Sequence, residues 1–175
     1  MSKYRQKAAL DIYLIQHAES VPEKEDTARP LSDVGKATME KVAALAARLK
    51  IKPGFIFHSE KLRAQQTAEI LARHIGLSDN LRERKGLGPL DPVAPVAQWL
   101  KDQPAKGIAE LAIVGHPPFL NKLASLLITG DESLSVVSFG NGAIAKLVPS
   151  LDGTRYTVQL IITKQLAEQA QTSPR

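Results

Sequence analysis

Residues 12–19 of this chain, Ile-Tyr-Leu-Ile-Gln-His-Ala-Glu, pass from an apolar run into polar sequence at a histidine. The apolar run contains β-branched and aromatic residues, so it predicts a buried strand over residues 11–16. Open α/β sheets bind ligands beyond the carboxyl ends of their strands. His17, which follows this strand, is therefore a candidate for chemistry, because neutral imidazole can act as a nucleophile.

The composition indicates a folded protein with one domain. Of the 175 residues, 43% are hydrophobic and 23% are charged, as in ordinary globular proteins. We predict a single domain over residues 1–163 and a polar tail over 164–175. No apolar run approaches the roughly 20 residues that span a bilayer, so no membrane partner is expected. The sequence has no cysteine, which excludes disulfides and fits a cytoplasmic protein.

The charge balance favours an anionic substrate or partner, because the net charge is +5. Aromatic residues make up only 5% of the chain, and no basic stripe is interleaved with them. Nucleic-acid binding is therefore not expected. The few histidines show no spacing with acidic residues that is typical of a ligand set, so no metal or other cofactor is expected.

The periodicity of apolar residues predicts strands that alternate with helices. The predicted helices are 33–50, with Ser32 as its N-cap, 60–74, 95–101 and 119–128. Further strands are predicted over 55–57 and 111–114, with strand candidates at 135–139, 143–148 and 156–163, while 82–92 is predicted as a loop. Such alternation indicates an α/β fold: a three-layer sandwich in which a mostly parallel central sheet has helices on both faces.

Three predicted strands end in polar pairs, which are Gln16-His17, His58-Ser59 and Gly115-His116. Because parallel strands bring their carboxyl ends to one edge of the sheet, these pairs are expected to lie close together. Arg63 follows in the first turn or so of a predicted helix. Two histidines and an arginine are what phosphoryl transfer needs: one imidazole attacks phosphorus, and the other groups stabilise the phosphoryl oxygens.

At these residues the chain resembles the histidine phosphatases of the phosphoglycerate-mutase-like superfamily, and most of all their small bacterial phosphohistidine phosphatase branch. The family pattern of a strand followed by Arg-His-Gly corresponds to Gln16-His17-Ala18. The pattern Ser-Pro-x-x-Arg-Ala-x-Gln-Thr-Ala corresponds to residues 59–68, and Gly/Ser-His-x-Pro to residues 115–118. The stretch Arg-Pro-Leu-Ser-x-x-Gly at residues 29–35 resembles the segment that opens the first helix in the small branch. The four segments occur in the family's order, over roughly residues 11–163.

The resemblance implies a phosphoglycerate-mutase-like fold and a metal-independent phosphatase that acts through a phosphohistidine intermediate on His17. Arg63 and His116 are implied to be catalytic as well, and Arg29 to be an outer phosphate contact. With Gln16, these residues form the expected phosphate-binding set. The expected partners are a phosphate anion and a phosphorylated histidine-containing protein, such as a phosphotransfer or phosphocarrier domain.

Two departures from the family pattern leave alternatives open. Gln16 stands where the family has a phosphate-binding arginine, and losing one such contact costs about 2–4 kcal/mol, or roughly 10²–10³ in rate. A catalytically weakened phosphate- or phosphoprotein-binding relative is therefore one alternative. Larger relatives also use a carboxylate as general acid, and the corresponding region offers only Glu83 and Asp91. This favours a phosphoramidate substrate over an ester, although a small-molecule phosphomonoesterase remains the other alternative.

Overall fold

The computed structural model describes residues 10–172, which form a single sheet covered by helices. The strands are β1 (Asp11–Gln16), β2 (Phe55–His58), β3 (Leu81–Glu83), β4 (Glu110–Gly115), β5 (Ile144–Pro149) and β6 (Tyr156–Ile162). The helices are α1 (Asp33–Arg48), α2 (Leu62–Ile75), α3 (Ala94–Lys101), α4 (Phe119–Thr129) and α5 (Lys164–Thr172).

The sheet has the strand order β3-β2-β4-β1-β5-β6. The first four strands in this order run parallel to one another, whereas β5 is antiparallel to both β1 and β6. Gln16 at the end of β1 lies opposite Gly115 at the end of β4, and His58 of β2 lies opposite Val114. The three predicted polar pairs therefore reach one edge of the sheet, as expected from parallel pairing.

The core consists of two apolar clusters, one on each face of the sheet. Alternate residues of β1 belong to different clusters, since Tyr13 and Ile15 pack with α1, α2 and α5, while Ile12 and Leu14 pack with α3 and α4. Helices therefore cover both faces, because both faces of the parallel strands are apolar. The predicted α/β fold class is confirmed.

The start of α1 is built against the segment that follows β1. The hydroxyl of Ser32 accepts a hydrogen bond from the N–H of Gly35 at 3.0 Å, which confirms the predicted N-cap. A Cβ atom at Gly35 would lie 2.0 Å from the carbonyl oxygen of Glu19. Only glycine permits this approach, and it brings α1 onto the chain two residues beyond His17.

In two segments the structure differs from the prediction. Residues 82–92, predicted as a loop, begin with the end of β3, an edge strand that pairs with β2 and with no other strand of residues 10–172. The strand candidate at 135–139 is wrong, because this segment is irregular. Side chains of α4 bind carbonyl groups within and just before this segment: Asn121 donates to the carbonyl of Val137 at 2.9 Å, and Ser125 donates to that of the preceding Leu134.

The segment predicted as a polar tail contains α5, which packs against α1. Ala167 is fully buried, and Arg48 of α1 donates a hydrogen bond to the carbonyl oxygen of Ala170 at 2.8 Å. Through Thr172 this segment thus lies on the domain surface and does not extend away from it.

None of the helices within residues 10–172 is both long enough and apolar enough to cross a lipid bilayer.

Candidate active site

His17 is held directly beyond β1 in one tautomer. Its backbone N–H donates to the carbonyl of Gly115 at 3.0 Å, and its ring Nδ1 lies 2.7 Å from the carbonyl oxygen of Ala18. Because a carbonyl can only accept, Nδ1 carries the ring proton. Nε2 then has a free lone pair, and it accepts a hydrogen bond from Nε of Arg63 at 3.3 Å. The nitrogen that faces the arginine is thus the unprotonated one.

The surroundings of His17 favour the neutral ring. Burial and, to a lesser extent, the cations of Arg63 and Arg29 together lower the pKa of His17 to about 4, although the bond to the Ala18 carbonyl acts in the opposite direction. At neutral pH the imidazole is therefore uncharged, which is the form that a nucleophile requires.

His116 lies beside His17 and is almost completely buried. The two ring centroids are 4.9 Å apart, and His116 is 1% exposed. Its Nε2 is 2.6 Å from the hydroxyl oxygen of Ser59, which already accepts from the N–H of Lys61. When the Ser59 hydroxyl donates to Nε2, the ring proton of His116 lies on Nδ1, which has no hydrogen-bond partner among the described residues. Burial and the neighbouring charges lower the pKa of His116 to about 3, so this ring is neutral too.

Arg63 projects from the first turn of α2, and two further residues of this helix fix the segments around the site. Thr67 accepts a hydrogen bond from the N–H of Ala18 at 3.0 Å, and Gln66 accepts one from the N–H of Leu31 at 2.7 Å. One helix thus holds the guanidinium, the residue after His17 and the segment that begins α1. These contacts explain the residue types at positions 63, 66 and 67.

The loop between β1 and α1 brings Arg29 close to the two histidines and Arg63. Its charge acts on His17, Arg63 and His116, lowering the pKa of each. Its backbone adopts φ 51°, a conformation that is uncommon outside glycine, and Nη2 lies 3.4 Å from the hydroxyl oxygen of Ser20. Two neighbouring guanidinium groups repel each other unless an anion lies between them.

Buried polar atoms without partners mark the same region. Among the described residues, four buried side-chain atoms lack a hydrogen bond, and three of them are Oε1 of Gln16, Nε of Arg29 and Nδ1 of His116. Buried polar groups are nearly always paired in native proteins, and an unpaired group is costly. Their concentration at predicted site residues indicates a place that a polar ligand completes.

Gln16 lies at the edge of the site and supplies no charge. It is 6% exposed, and its Nε2 donates a hydrogen bond to Oδ1 of Asn141 at 2.7 Å. Asn141 belongs to the turn before β5, and the N–H of Gly142 in this turn donates to the carbonyls of Gln16 and His17. The amide of Gln16 is therefore held by a residue far away in the sequence.

The two carboxylates that the sequence offers as a general acid, Asp91 and Glu83, make no hydrogen bond or ion pair with the histidines or Arg63 among the described residues. Asp91 accepts a hydrogen bond from the N–H of Gly88, and Glu83 is exposed on the edge strand β3. The negative charge of Glu23 opposes the lowering of the Arg63 pKa by burial and by Arg29.

The two remaining histidines have other partners, since His58 bonds to the carbonyl of Ser59 and His74 pairs with Glu40. Within residues 10–172, no group of three or more histidine or acidic side chains is arranged to hold a metal ion.

Sequence reasoning gave no separate role to Ser59, Thr67, Glu23 or Asn141. Ser59 and Thr67 lie within the motif that carries Arg63, so their residue types were visible but their partners were not. Glu23 and Asn141 lie in loops, and nothing in the sequence indicated where these loops would lie.

Comparisons with known proteins give similarity to one family. The model for the histidine phosphatase superfamily (branch 1) matches residues 12–88. An uncharacterized protein of Picosynechococcus is 32% identical over 125 residues, which cover 70% of this chain and 75% of that protein. The human mitochondrial serine/threonine-protein phosphatase PGAM5 is 32% identical over 105 residues, or 57% of this chain. The match spans only 35% of the length of that phosphatase.

Solved structures share the fold. The protein histidine phosphatase SixA, determined in complex with tungstate, superposes with a TM-score of 0.78 at 22% identity, covering 89% of this chain and 97% of that chain. Phosphoglycerate mutase from Bacillus anthracis superposes with a TM-score of 0.71 at 14% identity, covering 95% of this chain and all of that chain.

Proposed function

This chain belongs to the histidine phosphatase superfamily, and from that membership we propose that it removes phosphate from phosphohistidine on a signalling or phosphocarrier protein. The observation that carries the proposal is the state of His17: a neutral ring whose Nδ1 is bound to a carbonyl and whose unprotonated Nε2 faces Arg63. Such a nitrogen is ready to attack phosphorus.

In the proposed reaction, Nε2 of His17 forms a bond to phosphorus while the bond to the substrate imidazole breaks. The substrate imidazole, which already carries a proton on its other ring nitrogen, keeps the electron pair of that bond and leaves as a neutral ring. Water then attacks the phosphorylated His17, the bond to its Nε2 breaks, and inorganic phosphate is released. Arg63, Arg29 and the Nδ1–H of His116 donate to the phosphoryl oxygens in both steps, and they stabilise the charge of the transition states.

A phosphohistidine substrate is favoured by the leaving group that it offers. A protonated imidazole leaves without help, whereas an alcohol needs a general acid, and Glu83 and Asp91 lie away from the histidines. The positive net charge suits an acidic phosphotransfer or phosphocarrier protein as the partner. A cytoplasmic location is part of this proposal, supported by the absence of cysteine from the sequence.

The test is hydrolysis of a phosphorylated histidine-containing protein by the purified chain and its variants. We expect His17→Ala to abolish turnover and His74→Ala, a matched histidine change far from the site, to retain it. Gln16→Arg should raise the rate by roughly 10²–10³, because it adds one charge-assisted contact. Phosphate binding without turnover in the wild type, with turnover gained in Gln16→Arg, would instead establish the weakened binding relative.

A second candidate function, hydrolysis of a phosphomonoester, is favoured by the position of Glu23 near Arg63. Glu23 would serve as the general acid, and the similarity to a serine/threonine-protein phosphatase supports such a substrate. The discriminating variant is Glu23→Gln, with Glu25→Gln, a second exposed carboxylate of the same loop, as the control. If the ester is the true substrate, Glu23→Gln lowers the hydrolysis of a phosphoserine peptide by about 10²-fold or more. Phosphohistidine hydrolysis should not respond to either change.

A further inference from the structure

The side-chain amide of Gln16 has a definite direction. Its Nε2 is occupied by Oδ1 of Asn141 at 2.7 Å, whereas its Oε1 is buried and has no partner. Asn141 cannot easily turn away, because the adjacent Gly142 donates hydrogen bonds to the backbone carbonyls of Gln16 and His17 at 3.1 and 3.2 Å. The atom that Gln16 leaves free is thus an acceptor, where the resemblance implies the donor groups of an arginine.

The strand pairing places Gln16 beside the residues that lead into both histidines. Gln16 precedes His17 on β1 and is the register partner of Gly115, which precedes His116 on β4. A fully ionised phosphoryl group would place its oxygens near Oε1 without a proton to share, and the two oxygens would repel. A singly protonated phosphoryl group carries one P–OH, which can donate to Oε1.

We propose that Gln16, oriented by Asn141, makes this site select the monoanionic form of its phosphoryl ligand by accepting a hydrogen bond from the P–OH group. The inference rests on the proposed function, since it assigns a specificity-determining role within the same phosphate site. Asn141 is a positioning residue, because it acts through Gln16.

The proton that controls binding then belongs to the ligand. The charged or titratable groups around the site are His17, His116, Glu23, Arg29, Lys61 and Arg63. The pKa values of His17 and His116 are lowered to about 4 and about 3, so both rings stay neutral between about pH 5.5 and about pH 8.5. The second ionisation of a phosphate group falls inside that range. One hydrogen bond to a buried acceptor changes affinity by about tenfold.

The experiment measures the dissociation constant of inorganic phosphate by calorimetry at about pH 5.5 and about pH 8.5, for wild type and Gln16→Met. Methionine matches the length of glutamine but accepts no strong hydrogen bond. We expect the preference for phosphate at the lower pH to be about tenfold larger in wild type than in Gln16→Met. Sulfate, which is a dianion at both pH values, should bind wild type no better than Gln16→Met.

Two further variants keep the test independent of one substitution. In Asn141→Ala the freed Nε2 of Gln16 can turn toward the anion, so the extra preference should disappear. In Gln16→Arg it should reverse, with tighter binding at the higher pH. Asn141 is exposed, so Asn141→Ala is expected to fold.

Equal pH preferences for phosphate in wild type and Gln16→Met would overturn the inference. Tighter binding of sulfate by wild type than by Gln16→Met would also overturn it, because it would mean that the amide of Gln16 donates a hydrogen bond to the anion. If phosphate binds and turnover depends on His17 in those same samples, the proposed function stands and only this inference fails. A chain that binds no phosphate at either pH overturns both.

Discussion

Replacing Thr67 by valine tests whether α2 positions the nucleophile. The Thr67 side chain is fully buried, and its hydroxyl accepts from the N–H of Ala18 at 3.0 Å and donates to the carbonyl of Arg63 at 2.7 Å. The carbonyl of Ala18 in turn accepts from Nδ1 of His17 at 2.7 Å. Thr67→Val keeps the branched shape of the side chain and removes only the hydroxyl, so it cuts the link between α2 and the residue that orients the imidazole.

The expected loss of stability follows from the backbone N–H of Ala18, which loses its hydrogen-bond partner. Ala18 is 0% exposed, so its N–H loses its partner without gaining water, which costs about 1–3 kcal/mol. In a protein of this size, each kcal/mol lowers Tm by about 2–4 °C, so Tm should fall by about 2–12 °C. A small displacement of His17 should also lower kcat, by up to about 10²-fold.

The assay combines thermal unfolding, followed by circular dichroism, with phosphohistidine hydrolysis. Thr129→Val is the matched control, because the Thr129 hydroxyl also bonds to a carbonyl one helical turn earlier, that of Ser125, but lies far from the histidines. We expect this control to retain wild-type kcat. If Thr67→Val loses no more stability and no more activity than Thr129→Val, the reasoning about positioning through Ala18 is refuted.

Three further changes have defined outcomes. Ser59→Ala leaves both ring nitrogens of His116 without a protein partner, so kcat should fall by about tenfold or more in steady-state assays; an unchanged kcat would show that Ser59 does not orient the ring. Arg63→Lys keeps the charge but loses the planar fork, so kcat should drop by about 10²-fold; full activity would mean that charge alone is sufficient. The free energy of unfolding should rise as the pH is raised from about 4 to about 6.5. In this range His17 and His116 are protonated in the unfolded chain but neutral in the folded one, because folding lowers their pKa values to about 4 and about 3. Urea titrations check this, and a rise of the same size in His116→Gln would argue against it.

Much of the fold could be predicted because the central strands are buried on both faces. β1, β2 and β4 are continuous apolar runs, which is what two-sided burial requires. β3 was missed because it is a three-residue edge strand with two exposed residues, so its sequence resembles a loop. Residues 135–139 have a strand-like composition, yet the α4 side chain of Asn121 binds the carbonyl of Val137, and this tertiary contact cannot be seen in local sequence.

The candidate site was predictable to the extent that it follows from strand ends. His17 and His116 come together because β1 and β4 are parallel neighbours in register, and Arg63 reaches them from the start of α2. The partners of these residues were not predictable. Asn141 meets Gln16 across a separation of 125 residues, and the loop that brings Glu23 toward Arg63 has no periodicity that would indicate its path.

The central claim is that His17 carries the phosphoryl group during turnover. The most direct test is rapid acid-free quenching of the chain during hydrolysis of a ³²P-labelled phosphohistidine protein, followed by mapping of the labelled peptide. We predict label on His17 that forms and decays at the rate of turnover, and no label in His17→Ala. Turnover without label on His17, or turnover that persists in His17→Ala, would contradict the mechanism.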